Sequence, residues 1–339
     1  MVLHVLDALA ELTLERVVVV VGYRSAEMVK LISAAAPPDL GLYFVEQALA
    51  RGTGDAVAVA LTGFPDDDMM GNADVLVVPG DAPLIRPATL RALVDEHQGG
   101  DAAATLLTAI VDDPSGYGRI VRSEQGNVER IVEDRDAEPA ELDIAEVGTS
   151  IYCFRQSLLA PSLRRLRPNN AKGEYYLTDV VEGLARSGYV VGSLVVGDSL
   201  ETTGVNDRAQ LSVAESEMRT RINERWMRAG VTMVDPTSTY VDGTVELDED
   251  VTLQPFTYLV GATRIGRGAI IGPSTRLVDT VVGQRSCVEF SSVLRATIGV
   301  DAHVGPFADM SAGSEVPDGF ETGPFFKGVA SRDAGSQAT

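Results

Sequence analysis

An aspartate closes the apolar run in "VLVVPGDAPL", where Asp81 can offer one carboxylate oxygen to a hydrated divalent cation. Mg2+ suits such a lone ligand, because it keeps waters and substrate phosphates as its other partners. Taken alone, Asp81 reads equally as a turn aspartate. Upstream, Gly52-Thr53-Gly54 in "QALARGTGDAVAVAL" opens a helix. Glycines let a backbone approach a planar base or a phosphate, and the first N–H groups of a helix are free to meet an acceptor. An ordinary strand-to-helix turn has the same spelling. Further polar stretches interrupt apolar text: "DDPSGYGRIV" from Asp112, "IVEDRDAEPAELDIAEVGTS" with Glu133 and Glu146 beside strands, "PNNAKGEYYLTDVV" from Pro168, and "GVNDRAQL" with Asn206. Each alone reads as a loop. Cys153 and Cys287 form no CxxC pair and read as two buried thiols, and His4, His97 and His303 have no ligand spacing, so a structural zinc site is not expected.

These residues need elements to hold them. The first ~200 residues alternate apolar strands with amphipathic helices, which predicts a mostly parallel sheet covered on both faces. Ligands of such sheets bind at the carboxyl ends of strands, where Asp81 and the glycine turn both fall. A charged helical stretch follows from Asp207 to Gly230, with Asp207 or Asn206 as its cap and Gly230 as its stop. Beyond it, Val245, Val251 and Thr257 recur every six residues. After a shift, so do Leu259, Ile265, Ile271 and Leu277, and later Ile298, Val304, Met310 and Val316. A six-residue period is that of a hexapeptide β-helix, whose stacked coils bury one apolar column. About four coils are expected. The expected organisation is a domain over 1–206, a linker helix over 207–230, a β-helix over 231–317 and a partly disordered tail over 318–339.

The net charge of −21, from 28 basic and 49 acidic residues, repels phosphate backbones and argues against a nucleic-acid partner. No apolar run approaches the ~20 residues of a membrane helix. The N-terminus lacks the zones of a signal peptide, and the reading is a cytoplasmic protein with no membrane partner.

In order and wording, "GTGDAV", "GDAPLI", "DDPSGYGRI", "IVEDRDA", "NNAKGEYYLTDV", "GVNDRAQL", "AGVTMVDP", "TRIGRGAIIGPSTRL" and "VGPFADM" resemble the bacterial bifunctional N-acetylglucosamine-1-phosphate uridylyltransferase/glucosamine-1-phosphate acetyltransferase family. The resemblance covers nearly the whole chain. It implies an α/β fold, a Rossmann-like nucleotidyltransferase sheet followed by a short left-handed parallel β-helix. It implies that UTP and N-acetylglucosamine 1-phosphate give UDP-N-acetylglucosamine and pyrophosphate, with Mg2+ as cofactor. Gln47, Gly52 and Thr53 would hold the uracil, Gly118 and Glu133 would face the sugar, and Asp81 and Asn206 would hold the metal. The β-helix would serve for support or for oligomerisation, as a homotrimer.

Three departures shape the expectation. The family's opening strand and glycine-rich triphosphate loop are missing before Met1, so the sheet is expected to carry a gap and the chain to turn over UTP poorly. Gly148 in "EVGTS" stands where the family has a sugar-contacting asparagine, which leaves the sugar phosphate open. The β-helix stops before the coils of the acetyl-transfer site, so acetyl transfer is not expected. A transferase for another sugar 1-phosphate, or a non-catalytic paralogue that binds nucleotide sugar, are the alternatives.

Overall fold

A computed structural model describes residues 1–64 and 73–329 of the protein. The chain divides into two units, Met1–Leu211 and Ser212–Thr339.

The first unit runs α1 (Val2–Ala10), β1 (Val17–Val21), α2 (Ser25–Ala35), β2 (Leu42–Glu46), α3 (Thr53–Leu61), β3 (Asp74–Val77), α4 (Pro87–Gly99), β4 (Ala104–Ile110), β5 (Arg119–Arg122), β6 (Val128–Val132), α5 (Pro139–Leu142), β7 (Glu146–Arg155), α6 (Gln156–Leu163), α7 (Thr178–Arg186) and β8 (Val191–Val195). The five valines of β1 are β-branched, which favours the extended chain. Pro87 starts α4 at a position whose N–H needs no helical partner.

The strands form two sheets. β1 and β2 pair in parallel, Val17 with Leu42 through Val21 with Glu46. In the second sheet β4 pairs in parallel with β8, and β6 with β5 makes an antiparallel hairpin. β7 runs antiparallel to β4, and its other edge takes β3 along Tyr152–Arg155 and β5 at Val147. Parallel pairing is therefore present in β1–β2 and β4–β8, within a mixed sheet in which β6 and β7 are reversed. The reversal follows from the β5–β6 hairpin, which returns the chain without a crossover helix. No strand pairing joins the two sheets among the described residues. Their apolar side chains nevertheless meet: Val17 and Val19 of β1 and Leu76 of β3 share one cluster with Val5, Leu6 and Leu9 of α1. Alternation along β7 sends Ile151 and Cys153 into this cluster and Tyr152 and Phe154 into the opposite one, under α3, α6 and α7.

After α8 (Arg208–Arg228), the second unit is a left-handed parallel β-helix. Its three sheets of six, five and five strands make about five turns. Asp207 caps α8 by accepting from the Gln210 N–H at 2.8 Å. Gly230, at φ 95°, ends the helix, and the Val231 N–H turns back to the Trp226 carbonyl at 3.1 Å. Ile222, Trp226 and Met227 of α8 pack on the solenoid core.

Two buried columns run along the solenoid. Each strand points one residue inward: Leu247, Leu253, Leu259, Ile265, Ile271 and Leu277 at six-residue steps, then Val282, Val288, Val293 and Ile298 with three five-residue steps among them. The column returns to six through Val304, Met310 and Val316. The second column lies two residues earlier at each corner and carries small side chains, among them Thr257, Thr263, Ala269, Thr275, Ser286, Ala302 and Ser314, all buried. The hydroxyls there are satisfied locally: Thr257 and Thr263 donate at 2.7 Å to carbonyls three residues back. The run Val245, Val251, Thr257 belongs to this corner column and not to the strand column.

The solenoid exceeds the four coils expected. Thr232–Met233 pairs with Thr252–Leu253 at its start, and Lys327–Gly328 pairs with Asp309–Met310 at its end. Residues 318–329 thus extend the fold beyond 317, while 330–339 of the expected tail lie outside the described residues. Cys287 also differs from the expected buried thiol. It is only half-buried, because its strand turns Val288 inward.

Candidate functional site

The parallel pair β1–β2 delivers Gln47 at its carboxyl end, where the Gln47 N–H donates to the Val21 carbonyl at 2.8 Å. Gln47 Nε2 donates to Asp55 Oδ2 at 2.7 Å and to the Gly52 carbonyl at 3.3 Å. Those bonds fix the amide plane, and no protein donor bonds its Oε1 among the described residues.

The glycines of the turn answer to a protein neighbour. Gly52 has φ 108°, and a Cβ there would lie 2.6 Å from the Tyr175 carbonyl oxygen. A Cβ at Gly54 would lie 2.6 Å from Leu166 Cδ1. This close approach lets Tyr175 bond on both sides, its N–H to the Arg51 carbonyl and its carbonyl to the Gly54 N–H, each at 2.8 Å. Thr53 Oγ1 accepts from the Leu177 N–H at 3.0 Å. The loop before α7 is thereby fastened along the start of α3.

One residue further on, Thr178 Oγ1 donates to Glu133 Oε1 at 3.1 Å. Glu133 leaves the end of β6 and is largely buried. Burial raises its pKa, Asp136 and Asp134 add to the rise, and the Thr178 bond and Lys172 oppose it. Gly118 sits alongside, its missing Cβ 3.7 Å from Glu133 Oε1 and only 2.7 Å from Ile131 Cγ2. The Gly118 carbonyl in turn accepts from the Gly148 N–H at 2.8 Å. Gly148 has room that Gly118 lacks: a Cβ there would meet Ile131 and Ile120 at ordinary distances of 3.6 and 3.7 Å. The structure thus joins Gln47, Gly52 and Thr53 to Glu133, Gly118 and Gly148 through residues 175–178. Glu146, by contrast, is taken up by Arg122, at 2.6 and 2.8 Å, and by Thr108.

Asp81 lies four residues past the end of β3, in the turn before α4. Its carbonyl accepts from the Val205 N–H at 2.9 Å. A Cβ at Gly204 would stand 3.6 Å from Asp81 Oδ2, so the bare glycine leaves open the space above the carboxylate. Asn206 follows, exposed, with its N–H bound to Gln210 Oε1 at 2.7 Å. The structure therefore brings Asp81 to residues 204–206. One carboxylate and one amide carbonyl are hard oxygen donors of the kind Mg2+ takes while keeping water and phosphate ligands, so the pair fits that ion. No hydrogen bond or ion pair links this pair to Gln47, Gly52, Thr53, Gly118 or Glu133 among the described residues. Both groups lie toward one end of the sheet, since β3 pairs with Tyr152–Arg155 of β7 and its carboxyl end points toward the half that carries Gly148.

Thr178, Tyr175 and Leu177 are the residues that sequence reasoning passed over. The stretch "YYLTD" held the signal, but which loop it would face is not encoded locally. Cys153 offers no nucleophile, because burial pushes its thiol up to about 12. No helix among the described residues is long and apolar enough to cross a membrane.

Comparison with known proteins accords with this arrangement. Residues 1–227 match the Nucleotidyl transferase family. The chain is 40% identical over 325 residues to the bifunctional protein GlmU of Carboxydothermus hydrogenoformans, an alignment spanning 96% of this chain and 70% of the relative. It is 42% identical over 328 residues to bifunctional protein GlmU of Pelotomaculum thermopropionicum, covering 96% and 69%. With bifunctional protein GlmU of Caldanaerobacter subterraneus it shares 43% over 310 residues, covering 91% and 65%. A nucleotidyl transferase match over the whole first unit and most of α8, and relatives aligned through both units, place this chain in the nucleotidyl transferase family, among the GlmU proteins.

Proposed function

We infer that the chain is a sugar-1-phosphate nucleotidyltransferase that joins UTP to N-acetylglucosamine 1-phosphate, releasing pyrophosphate. The observation that carries the reading is the strap at residues 175–178. It ties the glycine turn to Glu133, so a base held at one end and a sugar at the other would lie along one continuous surface. Gln47 Oε1 is free to accept from an imide N–H, the group that distinguishes uracil from cytosine. Thr53 keeps its hydroxyl proton for a base carbonyl, since its oxygen already accepts from Leu177. Glu133 accepts from a sugar hydroxyl, and Gly118 keeps the wall thin beside it. Asp81 and Asn206 hold Mg2+, which when bound neutralises charge on the reacting phosphates. An oxygen of the sugar phosphate attacks the α-phosphorus in line. A P–O bond forms there, and the bond to the pyrophosphate oxygen breaks.

The bare Gly148 supports a second reading, in which the chain takes a different sugar 1-phosphate. The test measures pyrophosphate release from UTP with N-acetylglucosamine 1-phosphate, glucose 1-phosphate and galactose 1-phosphate. Preference for the N-acetylated sugar, with a loss on the order of 10²-fold in Asp81→Asn, is expected. Preference for another sugar selects the second reading. No release with any of the sugars leaves only nucleotide-sugar binding as the function.

A further inference from the structure

Arg119 follows Gly118 and is only 2% exposed. Its Nη2 meets Asp134 Oδ1 at 3.0 Å, and its Nη1 donates to the Tyr117 carbonyl. Asp134 follows Glu133. A single guanidinium therefore grips the residue before Gly118 and the residue after Glu133. The strands agree with this, since Arg119 stands opposite Val132 across the β5–β6 ladder. Gly118 cannot take a side chain, because a Cβ there would lie 2.7 Å from Ile131 Cγ2.

We propose that Arg119 and Asp134 act as a positioning pair that sets the distance between Gly118 and Glu133, and thereby the affinity for the sugar half of a nucleotide sugar. This rests on the sugar-facing role proposed for Gly118 and Glu133. A guanidinium is required because its planar fork reaches two acceptors through separate nitrogens, and an ammonium offers one nitrogen. Among the described residues the pair makes no hydrogen bond or ion pair with Gln47, Gly52, Thr53, Asp81 or Asn206, so its effect on the sugar passes through the Glu133 carboxylate.

The experiment is calorimetric titration of the full chain with UDP-N-acetylglucosamine and, separately, with UDP. It uses Arg119→Lys, Asp134→Asn and each of these combined with Glu133→Gln. Because Arg119 is buried, its substitution can unfold the domain, whereas the Asp134 side chain is 33% exposed and tolerates the amide. Either single variant is expected to weaken UDP-N-acetylglucosamine binding by about tenfold or more, as small misplacements of a contact group do. UDP affinity is expected to stay within twofold. In the Glu133→Gln background the further loss should disappear, and Asp134→Glu should restore part of the affinity. An equal loss for UDP, or an undiminished loss in the Glu133→Gln background, marks the pair as merely structural and overturns the proposal. If Glu133→Gln weakens sugar-nucleotide binding while Asp134→Asn does not, the proposal fails and the sugar site stands. If the wild-type chain binds UDP and gains nothing from the sugar, the functional reading fails and this proposal with it.

Discussion

Asp179, in the first turn of α7, is expected to destabilise the protein at neutral pH. Burial raises its pKa to about 6, and Glu182, Glu133 and Asp136 push in the same direction. An acid whose folded pKa lies above its ordinary 3.8 is favoured in its protonated form by folding. The folded state thus gains nothing from this group below pH ~4, loses stability as pH rises from there to ~6, and carries the full penalty above. The shift corresponds to at most about 3 kcal/mol. Asp179 is half-buried, so solvent screening reduces this to about 1.5–2 kcal/mol. The helix N-terminus returns about 0.5 kcal/mol to the carboxylate, and an amide forfeits it. Asp179→Asn should therefore stabilise the fold by about 1 kcal/mol at pH 8 and by clearly less at pH 5. Urea unfolding followed by circular dichroism at both pH values measures this. An equal effect at pH 5 and pH 8, or a loss of stability at pH 8, would refute the argument.

A Cβ at Gly148 fits beside Ile131 and Ile120, and Gly148→Asn should raise affinity for UDP-N-acetylglucosamine over UDP-glucose by roughly tenfold, the worth of one amide hydrogen bond. Competition calorimetry with the two nucleotide sugars reads the ratio, and an unchanged ratio removes Gly148 from the sugar wall. Gly52→Ala should cost about 2–4 kcal/mol, because its Cβ would strike the Tyr175 carbonyl at a φ of 108°; urea midpoints that match the wild type would show that the strap can yield. Leu259→Ala, in the fully buried strand column, should cost about 2–5 kcal/mol through the cavity it leaves. The unfolding of the second unit, followed by the fluorescence of Trp226, reports that loss.

The solenoid was legible because its inward residues repeat at a spacing that survives translation into text. The repeat blurred where coils shorten, at Val282, Val293 and Ile298, since a five-residue step moves the apolar residue out of phase. It misled at Val245, Val251 and Thr257, because the corner column has the same period as the strands. Only the preference for small residues at corners separates the two. In the first unit the alternation of apolar strands with amphipathic helices was legible, but the reversal of β7 was not. Its direction depends on a hairpin whose partner is chosen by packing. Asp81 and the glycine turn were visible as single residues. The strap that joins Gly52–Gly54 to Glu133 was not, because residues 175–178 find their partners more than forty positions away.

The same geometry explains why glycine recurs around the candidate site. At Gly52 the side chain is excluded by the Tyr175 backbone, at Gly118 by Ile131, and at Gly204 its absence leaves the Asp81 carboxylate open. At Gly52 the bare position lets two loops touch through main-chain atoms. Main-chain bonds survive most substitutions nearby and hold their spacing more tightly than long side chains do. The carboxylates need that rigidity. Beyond burial, Asp136 and Asp134 raise the pKa of Glu133, against Lys172 as the opposing cation, and Glu182, Glu133 and Asp136 raise that of Asp179. Such a cluster would spread apart if its loops were loose. Holding it together keeps Glu133 partly desolvated, and a desolvated acceptor discriminates more sharply between a sugar that supplies a hydroxyl and one that does not.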